Sequence, residues 1–238
     1  MVRQHEPFRM VMKIGSPVIL KSHPPSLDAL LYAAMSAHWG SEVNVLEKMK
    51  DLLRWDAEGG FFHASSMRFV VTNKATLTAA NAYRTDHIKN KLTSEMIAPN
   101  GQSDTYSRVV VEGGPYKTRM TQRNAYCAPY VMFDGNGDRE QVTALLNYYL
   151  CGVGYDAQNN AQGEVIDIES FDMGIDTSIS LNGQANRCIP VEHAHIKNIT
   201  GQQGHNRIVP PYYQGDLVAV VMPDRVRTIH HLDIGKAI

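Results

Sequence analysis

Two stretches of the chain space their apolar residues for a helix, and each is flanked by β-branched and aromatic runs. That pattern confines the fold to helices layered on a sheet. Leu27, Leu30, Leu31, Ala34 and His38 recur at helical spacing behind Ser26, a residue suited to an N-cap. Val142, Leu145, Leu146, Tyr149 and Leu150 form the second stripe, in a helix predicted over 139–150 with Asp138 as cap and Gln141 in the capping-box position. A shorter pattern, Val43, Leu46, Met49 and Leu53, ends before Gly59-Gly60. Strands are predicted over 8–20, bent at Gly15-Ser16-Pro17, and over 67–72, 107–112, 125–133 and 164–171. The polar stretch 73–100 reads as a long loop or short helix, and 116–124 as a protruding ribbon.

The order strand, helix, strand, strand, helix, strand is the ferredoxin-like (RRM-like) pattern of an α+β fold. Its core is expected over about 8–171 with an insertion at 73–100, and the rest, 172–238, is expected as a C-terminal β extension. A chain of 238 residues, 43% hydrophobic, is long enough to bury a core as one elaborated domain. Cys127, Cys151 and Cys188 are widely spaced and outside any CxxC pair, so reduced, mostly buried thiols are expected rather than a disulfide framework or zinc site. The apolar runs at 69–71 and 217–222 fall far short of the roughly 20 residues that span a bilayer. The first residues lack the apolar stretch of a secretory signal, which gives a cytoplasmic expectation.

Charge is partitioned along the chain. Residues 67–124 carry 9 basic and 4 acidic groups, whereas 125–186 carry 1 basic and 9 acidic. The basic stretch holds Arg108, Lys117, Arg119 and Arg123 with Tyr106 and Tyr116 interleaved, a composition suited to phosphate contacts plus base stacking. A solvated hairpin would have the same composition. The acidic block argues against one continuous nucleic-acid-coating surface.

Gly152, Gly154 and Gly163 bracket a polar loop between a helix and a strand, so its amides could face a phosphate without side-chain obstruction. A helix C-cap and turn accounts for one glycine and less readily for three. Residues 134–138 open like a calcium loop, but Arg139 stands where that loop needs Gly and Leu145 where it needs Glu, so a turn before a capped helix is expected. His193 with His195, and His230 with His231, lack a third metal ligand at convincing spacing. A histidine base beside Lys117 and Tyr116 would suffice for metal-free RNA cleavage, although spacing assigns no particular histidine.

Three stretches together, Pro25 to Ala34, Gly113 to Lys117, and the loop from Gly152 to Val165, resemble the RAMP-superfamily, Cas-five-like subunit of type IV CRISPR effectors. Arg187 to Pro190 and Arg207 to Tyr213 look like that family's C-terminal section. The resemblance implies a noncatalytic module, with no cofactor or metal, that binds and caps the 5′ handle of crRNA. It also implies packing on backbone RAMP subunits, with the large subunit and target DNA nearby and no membrane. On that reading Lys117, Arg119 and Arg123 hold phosphates, and Tyr116 and Tyr155 stack on bases. Gly152, Gly154 and Gly163 allow close backbone approach, and Asn159 and Asn160 read base or ribose edges. Asp156, Gln158, Asn159 and Asn160 stand where related loops would carry Lys or Arg, so the loop would act through hydrogen bonds and amides. The alternatives are a metal-independent endoribonuclease processing crRNA precursors and a ferredoxin-like ligand-binding protein without nucleic acid.

Overall fold

The computed structural model describes residues 5–20, 23–40, 44–71, 78–86, 119–155, 157 and 162–235. The chain divides into two compact units, Met1–Ala79 with Tyr126–Ile238, and Ala80–Ala125.

The first unit is a mixed α+β layer. Strand β1 (Glu6–Ile14) is separated by the Gly15-Ser16-Pro17 break from β2 (Val18–Ile19), so the expected bent strand is two strands. Helix α1 (Leu27–Trp39) buries Leu27, Leu30, Leu31, Ala34 and Met35, and the backbone turns out of it at Gly40 with φ 74°. Ser26 occupies the N-cap position without making the capping bond; its hydroxyl donates instead to the Asp28 carboxylate. His38, placed by periodicity on the apolar stripe, is exposed, with Nδ1 2.6 Å from the Tyr149 hydroxyl. The third helical pattern shrinks to α2 (Val45–Met49), capped by the Asn44 side chain. Strands β3 (Trp55–Asp56) and β4 (Phe61–Phe62) form a small hairpin ahead of β5 (Arg68–Val71).

Strands β6 (Thr78–Asp86) and β7 (Arg119–Cys127) are neighbours, with most of their length in the second unit. Polarity alone hid β6 inside the stretch 73–100; the strand expected at 107–112 lies outside the described residues. The strand expected at 125–133 is divided between β7 and β8 (Tyr130–Gly137) at Ala128-Pro129, where proline offers no N–H to a ladder. Residues 134–137 are the end of β8 rather than a turn, and Asp138 caps α3 (Arg139–Tyr149). Its Oδ1 accepts from the Gln141 amide at 3.0 Å, and the Gln141 side-chain nitrogen donates to Oδ2 at 2.8 Å. The chain continues through β9 (Val165–Asp172), β10 (Ser180–Leu181), β11 (Gln184–Ala185), β12 (Ile189–Pro190), α4 (Val191–Ile196), β13 (Gln202–Asn206), β14 (Val218–Met222) and β15 (Thr228–His230).

The main sheet has five strands in the order β15-β5-β8-β1-β9, antiparallel throughout except for the parallel pair β15 and β5. Side chains alternate across it. Phe8, Met10, Met12, Phe69, Val131 and Phe133 pack with both main helices in one core, while Val11, Val70, Met132 and Ile229 cluster separately. Fully burying each such side chain contributes about 1.5–3 kcal/mol. Cys127 and Cys151 are exposed and only Cys188 is half-buried, which corrects the expectation of mostly buried thiols. Among the described residues no helix is long and apolar enough to cross a membrane.

Candidate nucleic-acid interface

Arg119 and Arg123 lie on β7 in the second unit. Arg123 is half-buried. Tyr116, Lys117, Asn159 and Asn160, expected to grip or read RNA, lie outside the described residues.

Gly152, Gly154, Tyr155 and Gly163 all belong to the first unit, where the chain itself accounts for the glycines. The Gly163 amide donates to Pro17 O at 2.9 Å, that of Val153 to Gly163 O at 2.8 Å and that of Tyr155 to Ile19 O at 2.8 Å. The amides of Gly163 and Tyr155 thus fasten the loop to Pro17 and to β2, and that of Val153 closes the loop on itself. Gly154 has φ 108° and Gly163 φ 60°, conformations that L side chains rarely adopt. A Cβ on Gly154 would lie 2.7 Å from Ile19 O, and one on Gly163 would overlap the Val153 carbonyl oxygen. Gly163→Val is therefore expected to cost at least about 2 kcal/mol, and Gly154→Val a comparable amount, from backbone strain alone. Thermal melts of the isolated variants check this; unchanged melting temperatures would return the glycines to a binding role.

The residues that sequence reasoning missed are buried charges. Arg9 and Asp134 are opposite each other in the β1–β8 register, on the face away from the helices. Arg9 Nε donates to Asp134 Oδ1 at 2.7 Å and Nη2 to Oδ2 at 3.3 Å, while Arg68 Nη2 and Thr177 Oγ1 also donate to Oδ2. Burial disfavours the charge of Asp134, but Arg68 and Arg9 outweigh it and lower its pKa. A second network joins distant segments: Asp28 accepts from Ser26, from the Tyr212 hydroxyl at 2.8 Å and from Arg187 Nη2 at 3.3 Å. Burial, then the Asp28 charge, pushes the Tyr212 phenol well above its ordinary range, which keeps it a donor.

A third group gathers His63, His193, Asp56 and Asp176. His63 Nδ1 lies 2.7 Å from Asp176, His193 Nε2 lies 3.3 Å from Asp56, and Lys197 Nζ lies 3.1 Å from Asp56. Although burial opposes its charge, Asp176 is held far below the usual carboxylate range by bonds from His63, Ser178 and Asn136. His63 and His193 are buried, Asp56 and Asp176 half-buried and Lys197 exposed, and the pairs join the β3–β4 hairpin to α4 and its C-terminal end. Among the described residues no group of three or more His, Cys, Asp or Glu is placed to hold a metal ion.

The networks also use part of the acidic block. In the acidic block Asp134 neutralises arginines, Asp138 caps a helix, Asp172 pairs with Arg139 at 2.9 Å and Asp176 holds a histidine. Asp134 is buried and Asp138 and Asp176 are half-buried, whereas Glu140, Glu164, Asp167, Glu169 and Asp172 are exposed, so the block still presents negative charge to solvent. No family model and no curated protein matches the chain.

Proposed function

We propose that the chain is a noncatalytic RNA-binding subunit built on a ferredoxin-like core, of the type IV CRISPR kind that its sequence resembles, holding the 5′ handle of crRNA. The observation that carries this reading is the connection β1-α1-β5-β8-α3-β9 with the sheet order β5-β8-β1-β9, all antiparallel neighbours, and both helices packed in one core. That order and pairing support the ferredoxin-like arrangement on which RRM-type and related RNA-binding modules are built.

Fold alone does not assign function, so the contact must come from residues. An RRM stacks bases on the sheet face opposite its helices. Here that face carries Arg9, Val11, Val70, Met132, Asp134 and Ile229, all buried, with Ile234 packed against it. RNA is therefore assigned elsewhere, to Arg119 and Arg123 of β7, with Lys117 preceding them in the chain. Two or three phosphates neutralised there would give a shallow salt slope.

Lys117→Ala combined with Arg119→Ala is expected to weaken handle-RNA binding by about 1–3 kcal/mol for each charge-assisted hydrogen bond removed, with the melting temperature unchanged. Filter binding at physiological salt checks it, and unchanged affinity would overturn the assignment to β7. Copurification of short RNA with a uniform 5′ end from the assembled complex supports the function. Cleavage of precursor RNA by the isolated protein in EDTA would replace it with an endoribonuclease.

A further inference from the structure

The sequence holds three Asn-Gly pairs, Asn100-Gly101, Asn136-Gly137 and Asn182-Gly183. The first lies outside the described residues, and the other two stand in opposite surroundings. Asn136 and Gly137 are buried at the end of β8. There the Asn136 backbone donates to His63 O at 3.0 Å and accepts from the Arg54 amide at 2.8 Å, while its side chain donates to Asp176 at 2.8 Å. Asn182 and Gly183 are exposed and form the two-residue loop between β10 and β11. Their φ angles of 51° and 74° are the pair of positive values that a type I′ hairpin turn requires. Thr200 holds the Gly183 carbonyl oxygen through its amide at 2.8 Å and its hydroxyl at 3.1 Å. Neither the Gly183 N–H nor the Asn182 side chain makes a hydrogen bond among the described residues.

An asparagine followed by glycine carries its own electrophile and nucleophile. The Gly183 nitrogen, with no Cβ beside it, attacks Cγ of Asn182. The Cγ–Nδ2 bond breaks, the nitrogen's proton departs with the leaving ammonia, and a five-membered succinimide closes. Water then opens one carbonyl to give aspartate or the other to give isoaspartate, and nothing is oxidised or reduced. The attack requires the Asn182 backbone to leave its turn conformation. Strands β10 and β11 pair over two residues each in a two-stranded sheet of their own, a length that is marginal in water, so such an opening costs little. The same rotation at Asn136 would break into the main sheet. We propose that Asn182 is a self-modification site, where the folded chain converts asparagine to aspartate and isoaspartate while Asn136 is spared. Isoaspartate adds one backbone carbon to a loop whose length fixes the β10–β11 register, and either product adds a negative charge. The conversion therefore loosens the hairpin and its ties to Thr200. This site is separate from the RNA contact assigned to β7 and stands whether or not that assignment holds.

The test incubates the full chain warm, at neutral and at mildly alkaline pH, and maps its peptides by tandem mass spectrometry. Isoaspartate is read separately, by methyl transfer from a labelled donor with isoaspartyl methyltransferase. Asn182 is expected to gain about 1 Da, the exchange of an amide NH2 for OH, and to do so at least about tenfold faster than Asn136. Isoaspartate should be the larger product, and the rate should rise with pH because the attacking nitrogen must lose its proton. In urea the two sites should convert at similar rates, since only the fold distinguishes them. Asn182→Gly keeps a Gly-Gly loop that the type I′ turn accepts. It should abolish the signal at this site and any fall in melting temperature that follows from incubating the unaltered chain. Conversion of Asn182 no faster than that of Asn136 in the folded chain, or conversion to aspartate without isoaspartate, overturns the proposal.

Discussion

Asp134→Ala is expected to lower the free energy of unfolding by about 3–5 kcal/mol, because it leaves buried guanidiniums without a counter-charge. The whole stability of a domain is about 5–15 kcal/mol, so a large share is at stake. Asp134 holds Arg9 through both of its oxygens and also holds Arg68 and Thr177, and every one of these side chains is buried. Removing the carboxylate therefore strands several donors at once, and solvent cannot easily reach them. Urea denaturation followed by circular dichroism measures the loss. The triple replacement Arg9→Met, Asp134→Leu and Arg68→Met removes all three charges together and is expected to cost less than Asp134→Ala alone. A near-neutral Asp134→Ala would mean that water or the backbone already solvates the arginines.

The physical reach of each signal separates what was legible in the sequence from what was not. The helix at 139–149 was readable because its cap, capping-box glutamine and apolar stripe all lie within one segment. The first helix was readable from its apolar stripe, and misread only at its ends, where Ser26 turns to Asp28 and to the distant Tyr212, and His38 to Tyr149. Asp134 looked like the start of a calcium loop because its neighbours are glycine and asparagine. Its actual partners are 125 and 66 residues away in the chain. Alternation in β1 does separate Arg9 from Phe8 and Met10, but an arginine opposite a strand's apolar face reads as solvated. Burial comes from the C-terminal chain, whose Ile234 carbonyl oxygen accepts from Arg9 at 2.7 Å, and no local pattern announces that contact. The glycines of the late loop were identified as unusual, correctly, but the approach they permit is to Ile19 and Val153 of the same chain.

Arg187→Ala is the second substitution expected to cost about 3–5 kcal/mol, because one buried guanidinium joins stretches far apart in the chain. Arg187 is 1% exposed and lies over the Phe61 ring at 4.8 Å. It donates to the carbonyl oxygens of Phe62, of Ala64 at 3.3 Å and of Ile208 at 2.9 Å, and to Asp28 at 3.3 Å. One side chain thus ties the start of α1, the β4 hairpin, the 187–190 segment and the 207–213 segment together. Alanine would leave carbonyl oxygens and a carboxylate buried with fewer donors, and Ser26 and Tyr212 would still be bound to Asp28. For a chain of this size each kcal/mol corresponds to about 2–4 °C, so the melting temperature should fall by roughly 6–20 °C. Lysine keeps the charge but lacks the planar fork, so Arg187→Lys should recover only part of the loss. The double-mutant cycle with Asp28→Asn isolates the pair: a coupling near zero would assign the cost to the carbonyl oxygens, whereas about 1–3 kcal/mol of coupling would assign it to the ion pair.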